Sequence, residues 1–376
     1  MIFTALAGAV IVAIVLWEAF ETVVLPRRVT RRWRLTRAYY RATWLPWRGV
    51  ARRINSLKQR ETFLSIFGPL SLLALFMLWA ALLICGFGLL YYGASAGAAA
   101  SRALQTCLYL SGTTFFTLGL GDVTPQSSFE RAMAVVESGL GFGFLALVLS
   151  YLPVIYQAFS RRETNIVLLD ARAGSPPTAG ELLRRHASDV GIAELKQLLR
   201  DWERWSAEIL ESHVSYPVVS YFRSQHNNES WLAAIAAILD TSALLVASFD
   251  NPCARQARLT FAMCRHTVVD LAQVFHSPPE HAPADRFPSA DLERLRASLA
   301  EVGMRILEPP DADRKLTKLR GMYEPYLQAL ATFLAVDLPP WILAKEITDN
   351  WRTSAWGRIS GFAAPKQRDS ELDDHG

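Results

Sequence analysis

Between positions 117 and 122 the chain reads Thr117-Leu118-Gly119-Leu120-Gly121-Asp122, with glycine alternating with larger residues. Glycine adopts backbone conformations that other residues avoid. Alternating glycines therefore let successive carbonyls turn toward one axis, and a ring of such carbonyls can replace the hydration shell of a cation. The Thr117 hydroxyl would add one more oxygen. The chemistry on offer is ion coordination rather than bond making. Non-helical backbone is tolerated at membrane depth only inside protein or beside a watery cavity, so the elements around this loop decide what it means.

Those elements are apolar and long. Residues 2–25 form a run broken only by Glu18 and Glu21 near its end, and residues 63–92 and 129–159 form two more. Each exceeds the roughly 20 residues of helix that cross a bilayer. Residues 101–116 are too short to span and suit a re-entrant helix. Pro69 suits a first helical turn, so the second membrane helix is expected to begin near it. The expected architecture is all-α: three transmembrane helices plus a re-entrant pore helix and filter, followed by an α-helical cytosolic domain. The expected segments are an N-terminal span (1–26), a basic segment (27–62), a pore domain (63–160), a helical domain (161–364) and a disordered tail (365–376).

Charge orients the chain. Residues 1–60 carry twelve Lys/Arg against two Glu, residues 61–160 two against four, and residues 161–376 twenty-five against twenty-nine. The overall charge of +4 and the pI near 8.9 thus come from one stretch. All twelve basic residues lie within 27–60, and such a loop stays cytoplasmic. Arg161-Arg162 mark the same side, so the N-terminus is expected outside and the C-terminal domain in the cytoplasm of a bacterial inner membrane. Trp33, Tyr39, Tyr40, Trp44 and Trp47 interleave with these cations, which suits a helix on an anionic inner leaflet, rings at the headgroups. The position between two spans argues against a nucleic-acid partner.

With motif and context together, Thr117-Leu118-Gly119-Leu120-Gly121-Asp122-Val123-Thr124-Pro125 resembles the potassium-channel filter signature, usually Thr-Val-Gly-Tyr-Gly-Asp. The resemblance covers roughly residues 64–159. It implies that Thr117 gives a hydroxyl and a carbonyl to the innermost ion site, and that Leu118, Gly119 and Leu120 give carbonyls. It implies Gly121 at the outer mouth, Asp122 holding the filter from behind, and K+ as the transported ion, with no other metal or cofactor. Two positions depart from the pattern: Leu120 replaces an aromatic, as in the second filter of two-pore-domain potassium channels, and Phe116 stands where Thr or Ser is common. Both bear on selectivity more than on architecture. One loop per chain cannot surround an axis, so a homotetramer is expected.

Three glycines, Gly139, Gly141 and Gly143, lie within about a turn and a half of the inner helix. They read equally as a gating hinge or as close helix packing. Glu137 is an intramembrane acid that could brace the filter or pair with a neighbour, while Glu18 and Glu21 lie within reach of Arg27, Arg28 or Arg31. Voltage sensing is not expected, since no apolar span carries arginines at every third position.

After residue 161 amphipathic patterns are expected to form helices over 181–205, 231–249, 256–275, 290–306 and 315–333. Leu195, Leu198, Trp202 and Trp205 mark one buried helical face. No Gly-x-Gly-x-x-Gly motif follows a strand. His186, His213, His226, His266 and His276 lack metal-ligand spacing, the four cysteines read as structural thiols, and nothing frames a catalytic nucleophile, so no enzymatic activity is expected. Ser212-His213-Val214-Ser215-Tyr216-Pro217 is dense in hydroxyls beside a helix break, with no mechanism attached. The domain's ligand is not legible.

Overall fold

Eighteen residues, apolar but for Thr4 and Glu18 and without a proline, make the first helix, α1 (Ile2–Ala19), which widens into a π-turn over Phe20–Val24. The computed structural model of the chain describes residues 2–25, 34–95, 102–225, 229–248, 252–282, 284–304 and 311–343. Arg27, Arg28, Arg31, Trp33, His226 and the tail 365–376 lie outside the described residues, as does most of the small-residue linker. Every regular element among the described residues is helical. The chain divides into two units, one of residues 1–50 and 66–157, the other of 51–65 and 158–376.

In the first unit, α2 (Leu35–Ala51) begins where α1's end supplies a cap. The Glu18 carboxylate accepts from the Thr36 N–H at 3.2 Å and from its hydroxyl at 2.9 Å. Glu21 accepts from the Trp17 indole at 2.7 Å and lies 3.8 Å from Arg34. These two acids therefore tie α1 to α2. The aromatic residues of α2 turn inward: Trp44 is buried against Phe67, with ring centroids 4.8 Å apart, and the Tyr39 hydroxyl donates to the Ser71 carbonyl at 2.8 Å. These rings pack on the next helix.

That helix, α3, runs from Leu57 to Ala94 and passes straight through Pro69. The expected start near Pro69 is thus too late by three turns, because the polar residues before it belong to the second unit. Small residues let α1 approach α3 closely. A methyl group on Gly8 would sit 2.5 Å from the Gly86 carbonyl oxygen, and one on Gly93 would sit 2.7 Å from Ala5. Such close approach is how helices associate where lipid removes the hydrophobic drive. The re-entrant helix α4 spans Leu104–Phe115. The inner helix α5 covers Ser128–Ala173, 46 residues and roughly 69 Å at 1.5 Å per residue. Its last stretch, from Ala158, belongs to the second unit.

The second unit is a helical domain of α6 (Ala179–Arg185), α7 (Asp189–Ser215), α8 (Trp231–Ser248), α9 (Ala254–Val274), α10 (Ser289–Glu301), α11 (Ala312–Gly321) and α12 (Glu324–Leu334). Two expected helices are each split. Ser188 caps α7 by accepting from the Gly191 N–H at 3.0 Å, which separates it from α6. Pro325 sits in the first turn of α12, where a missing N–H is harmless, and separates it from α11. Leu195, Leu198, Trp202 and Trp205 are all buried, as the periodicity predicts.

Among the described residues, four helices are long and apolar enough to cross a membrane: the first helix with its π-turn, α3, α5 and α8. The last is 94% buried within its own unit. A helix apolar on every side is a core helix when others surround it, and α7, α9, α11 and α12 pack against this one. Its one ionisable residue, Asp240, is buried and accepts from Arg286 at 2.7 Å and from the Tyr323 hydroxyl at 2.6 Å. Burial pushes its carboxyl up to about 6, even against the pull of Arg286. Removing one partner of a buried pair leaves the other charge uncompensated, at about 3–5 kcal/mol. Asp240→Ala should therefore lower the unfolding midpoint of this unit markedly. The double change Asp240→Leu with Arg286→Met should recover much of the loss; thermal melts of the purified full chain check both.

Candidate functional site

The site is built on α4. Its buried face, Cys107 and Leu110, packs with Phe87 and Tyr91 of α3, and Val12, Val123, Met133 and Leu140 close the cluster from α1, the loop and α5. At the helix C-terminus the chain stays stitched to the last turn. Phe116 donates to the Gly112 carbonyl at 3.1 Å, Thr117 to Thr114 at 3.0 Å and Leu118 to Thr113 at 2.8 Å.

From there the backbone alternates. Thr117, Gly119 and Gly121 have φ of 57°, 58° and 80°, whereas the residues between them do not enter the left-handed region. Alternation of this kind lines neighbouring peptide dipoles up on one side of a strand, which random loop backbone does not do. Glycine takes these angles freely; for a residue with a Cβ the left-handed region costs about 1–2 kcal/mol. Thr117 bears that cost. The side chains of Leu118 and Leu120 are 62% and 65% exposed, and Phe116 is 55% exposed, with its ring edge-on to Phe115. These large apolar groups lack cover within the chain.

Polar contacts frame the loop on both sides. Asp122 shares a side-chain hydrogen bond with Tyr109 of α4. Beyond it, Arg102 donates to the Thr124 carbonyl at 2.6 Å and lies 3.4 Å from Glu130. Ser127 and Glu130 cap the start of α5 much as a capping box does, with Glu130 reaching one residue further back. The Ser127 hydroxyl accepts from the Glu130 N–H at 3.1 Å, and Glu130 accepts from the Gln126 N–H at 2.6 Å. The spacing Ser127-x-x-Glu130 is the sequence signal that would have found this cap. Arg102 has no such signal.

Glu137 resolves into a bracing group. It is fully buried on α5, accepts from the Tyr91 hydroxyl of α3 at 2.8 Å, and shares a short hydrogen bond with Ser111 of α4. Ser111 also lies 2.9 Å from the Ile84 carbonyl. One side chain thus joins outer, re-entrant and inner helices behind the loop. Glu137→Ala leaves two buried hydroxyls without this partner, at about 1–3 kcal/mol. We expect it to lower the thermal stability of the purified protein, and Glu137→Gln, which keeps the shape, to lower it less; thermal melts of the two variants check this.

The three inner-helix glycines differ. A methyl group on Gly141 would lie 2.0 Å from the Phe115 carbonyl oxygen and 2.9 Å from its carbon, whereas Gly139 and Gly143 have nothing within 4 Å. Gly141 is thus a packing glycine against the residue two before Thr117. The helix is continuous through all three.

Residues 74–157 match the ion channel family. The matched stretch takes in most of α3, all of α4, the loop and the inner helix up to the boundary of the first unit. A further relative is the uncharacterized membrane protein YdjJ of Bacillus subtilis (strain 168), 22% identical over 265 residues, which cover 68% of this chain and 74% of YdjJ. No solved structure matches the chain. The matched stretch sits in a membrane protein of all-α fold, and residues 117–122 open the non-helical link between α4 and α5.

Proposed function

We propose that the protein is a subunit of a potassium-selective channel that passes K+ passively through a tetrameric pore. The observation that carries this reading is the left-handed backbone at Thr117, Gly119 and Gly121, placed directly after the short helix α4 inside the stretch that matches the ion channel family. Carbonyls of Thr117, Leu118, Gly119 and Leu120 would form the ion sites, with Gly121 at the mouth. Asp122, held by Tyr109, supports the outer end. Four copies around one axis also give Leu118, Leu120 and Phe116 the cover that a single chain lacks.

The expected membrane is a bacterial inner membrane, with the N-terminus outside and the helical domain in the cytoplasm. The arginines of α2, among them Arg37, Arg41 and Arg48, suit anionic headgroups of the inner leaflet. Leu120 favours a second reading, a weakly selective cation channel, because the usual aromatic brace is missing there. Flux of potassium and of sodium into vesicles holding the purified protein separates the two. Potassium-only flux supports the first reading, equal flux the second, and no flux overturns both.

A further inference from the structure

The end of α7 runs through Ser215 and Tyr216 into a short 3-10 turn, Pro217–Tyr221, whose last carbonyls are not continued by a helix. The end of a 3-10 turn gathers carbonyls where a cation fits, and Arg162 of α5 takes that place. Its guanidinium donates to the Val219 carbonyl at 2.9 Å, to Phe222 at 2.8 Å and to Glu163 at 2.9 Å, and lies 5.1 Å over the Phe159 ring. Arg162 is 1% exposed. The Ser224 hydroxyl donates to Glu163 at 3.2 Å, so the same segment holds two successive residues of the inner helix.

Its next residue reaches the outer helix. Arg223 lies 3.6 Å from Glu61 in the second turn of α3, with both side chains mostly buried. The other nitrogen of Arg223 donates to the carbonyls of Leu334 and Ala335, at the left-handed end of α12. Arg60 also meets Asp337 at 2.6 Å, but Asp337 is 79% exposed, and such a pair contributes little.

We propose that residues 219–224 are a clip that fixes the spacing between the cytosolic ends of the outer and inner helices and thereby biases the pore between closed and open. The proposal rests on the channel reading. It also gives the hydroxyl-rich stretch 212–217 a place, as the root of the clip. The two grips differ in strength. Arg162 is fully enclosed, makes three hydrogen bonds and cannot leave without stranding a buried charge. The Arg223–Glu61 contact is longer, at 3.6 Å against 2.9 Å for Arg162 and Glu163. The outer-helix grip is therefore the half that releases.

The test uses the full chain in bilayers. Glu61→Gln and Arg223→Gln should each change the open probability in the same direction, by about fivefold or more, with the reversal potential unchanged. Arg223→Lys, which keeps a cation that can still donate to Glu61 and to the end of α12, should stay close to the wild-type value. Hydrogen exchange over residues 57–65 should quicken in both glutamine variants and much less in Arg223→Lys. Faster exchange with unaltered open probability, or an Arg223→Lys variant as altered as Arg223→Gln, overturns the clip. If the wild type itself passes no ions, the channel reading fails and the gating role falls with it, while exchange still reports the contact.

Discussion

Replacing Gly119 with alanine is expected to abolish potassium flux while leaving the protein folded. Nothing lies within 4 Å of the position a methyl group would occupy at Gly119, so bulk is not the obstacle. The obstacle is φ at +58°, a conformation that costs a residue with a Cβ about 1–2 kcal/mol. Thr117 already bears such a cost two residues earlier. If four chains share the pore, the added strain is roughly 4–8 kcal/mol, and each 1.4 kcal/mol is tenfold in an equilibrium. A shift of even half that size empties the conducting arrangement. The loop has an easier course: the peptide flips, φ turns negative, and a carbonyl leaves the ring. Vesicle flux should fall more than about a hundredfold on these figures, with thermal stability little changed. Flux equal to wild type would show that the backbone of Gly119 takes no part in conduction.

The second large effect is expected at Gly141. A methyl group there meets the backbone of Phe115 at 2.0 Å, and backbone cannot rotate aside as a side chain can. Either α5 moves away from α4 or the end of α4 shifts, and Thr117 lies two residues on. Overpacking costs about 1–3 kcal/mol, occasionally more. Gly141→Ala should therefore lower both thermal stability and flux. Gly143→Ala and Gly139→Ala face open space within the chain and gain about 1 kcal/mol of helix propensity. They should be at least as stable as wild type. If those two instead alter opening while staying stable, flexing of the inner helix is what the glycines provide. Single-channel recordings beside melts of the three variants read both quantities.

The membrane helices, the re-entrant helix and the glycine loop were legible because each rests on local pattern: apolar length, a run too short to span, and alternating glycines. The helical content of the second unit was legible for the same reason, down to the buried stripe at Leu195 and Trp202. What escaped depends on partners distant in sequence. Glu137 gives no local sign that Tyr91 and Ser111 will meet it, so bracing and simple pairing look alike. Gly141 differs from Gly139 and Gly143 only in what stands opposite. The early start of α3 was hidden because Lys58, Gln59, Arg60 and Glu61 are polar and interrupt no apolar run; their helix is stabilised by the second unit. The break at Ser188 could have been read from its capping hydroxyl, but the amphipathic period runs on across it.

The central claim is that the loop 117–122 lines a potassium-selective path. Its most direct test is the reversal potential of the purified protein in planar bilayers with potassium on one side and sodium on the other. The current is expected to reverse close to the potassium equilibrium potential and to disappear in Gly119→Ala. A current that reverses near zero would contradict selectivity, and one that survives unchanged in Gly119→Ala would contradict the assignment of the loop itself.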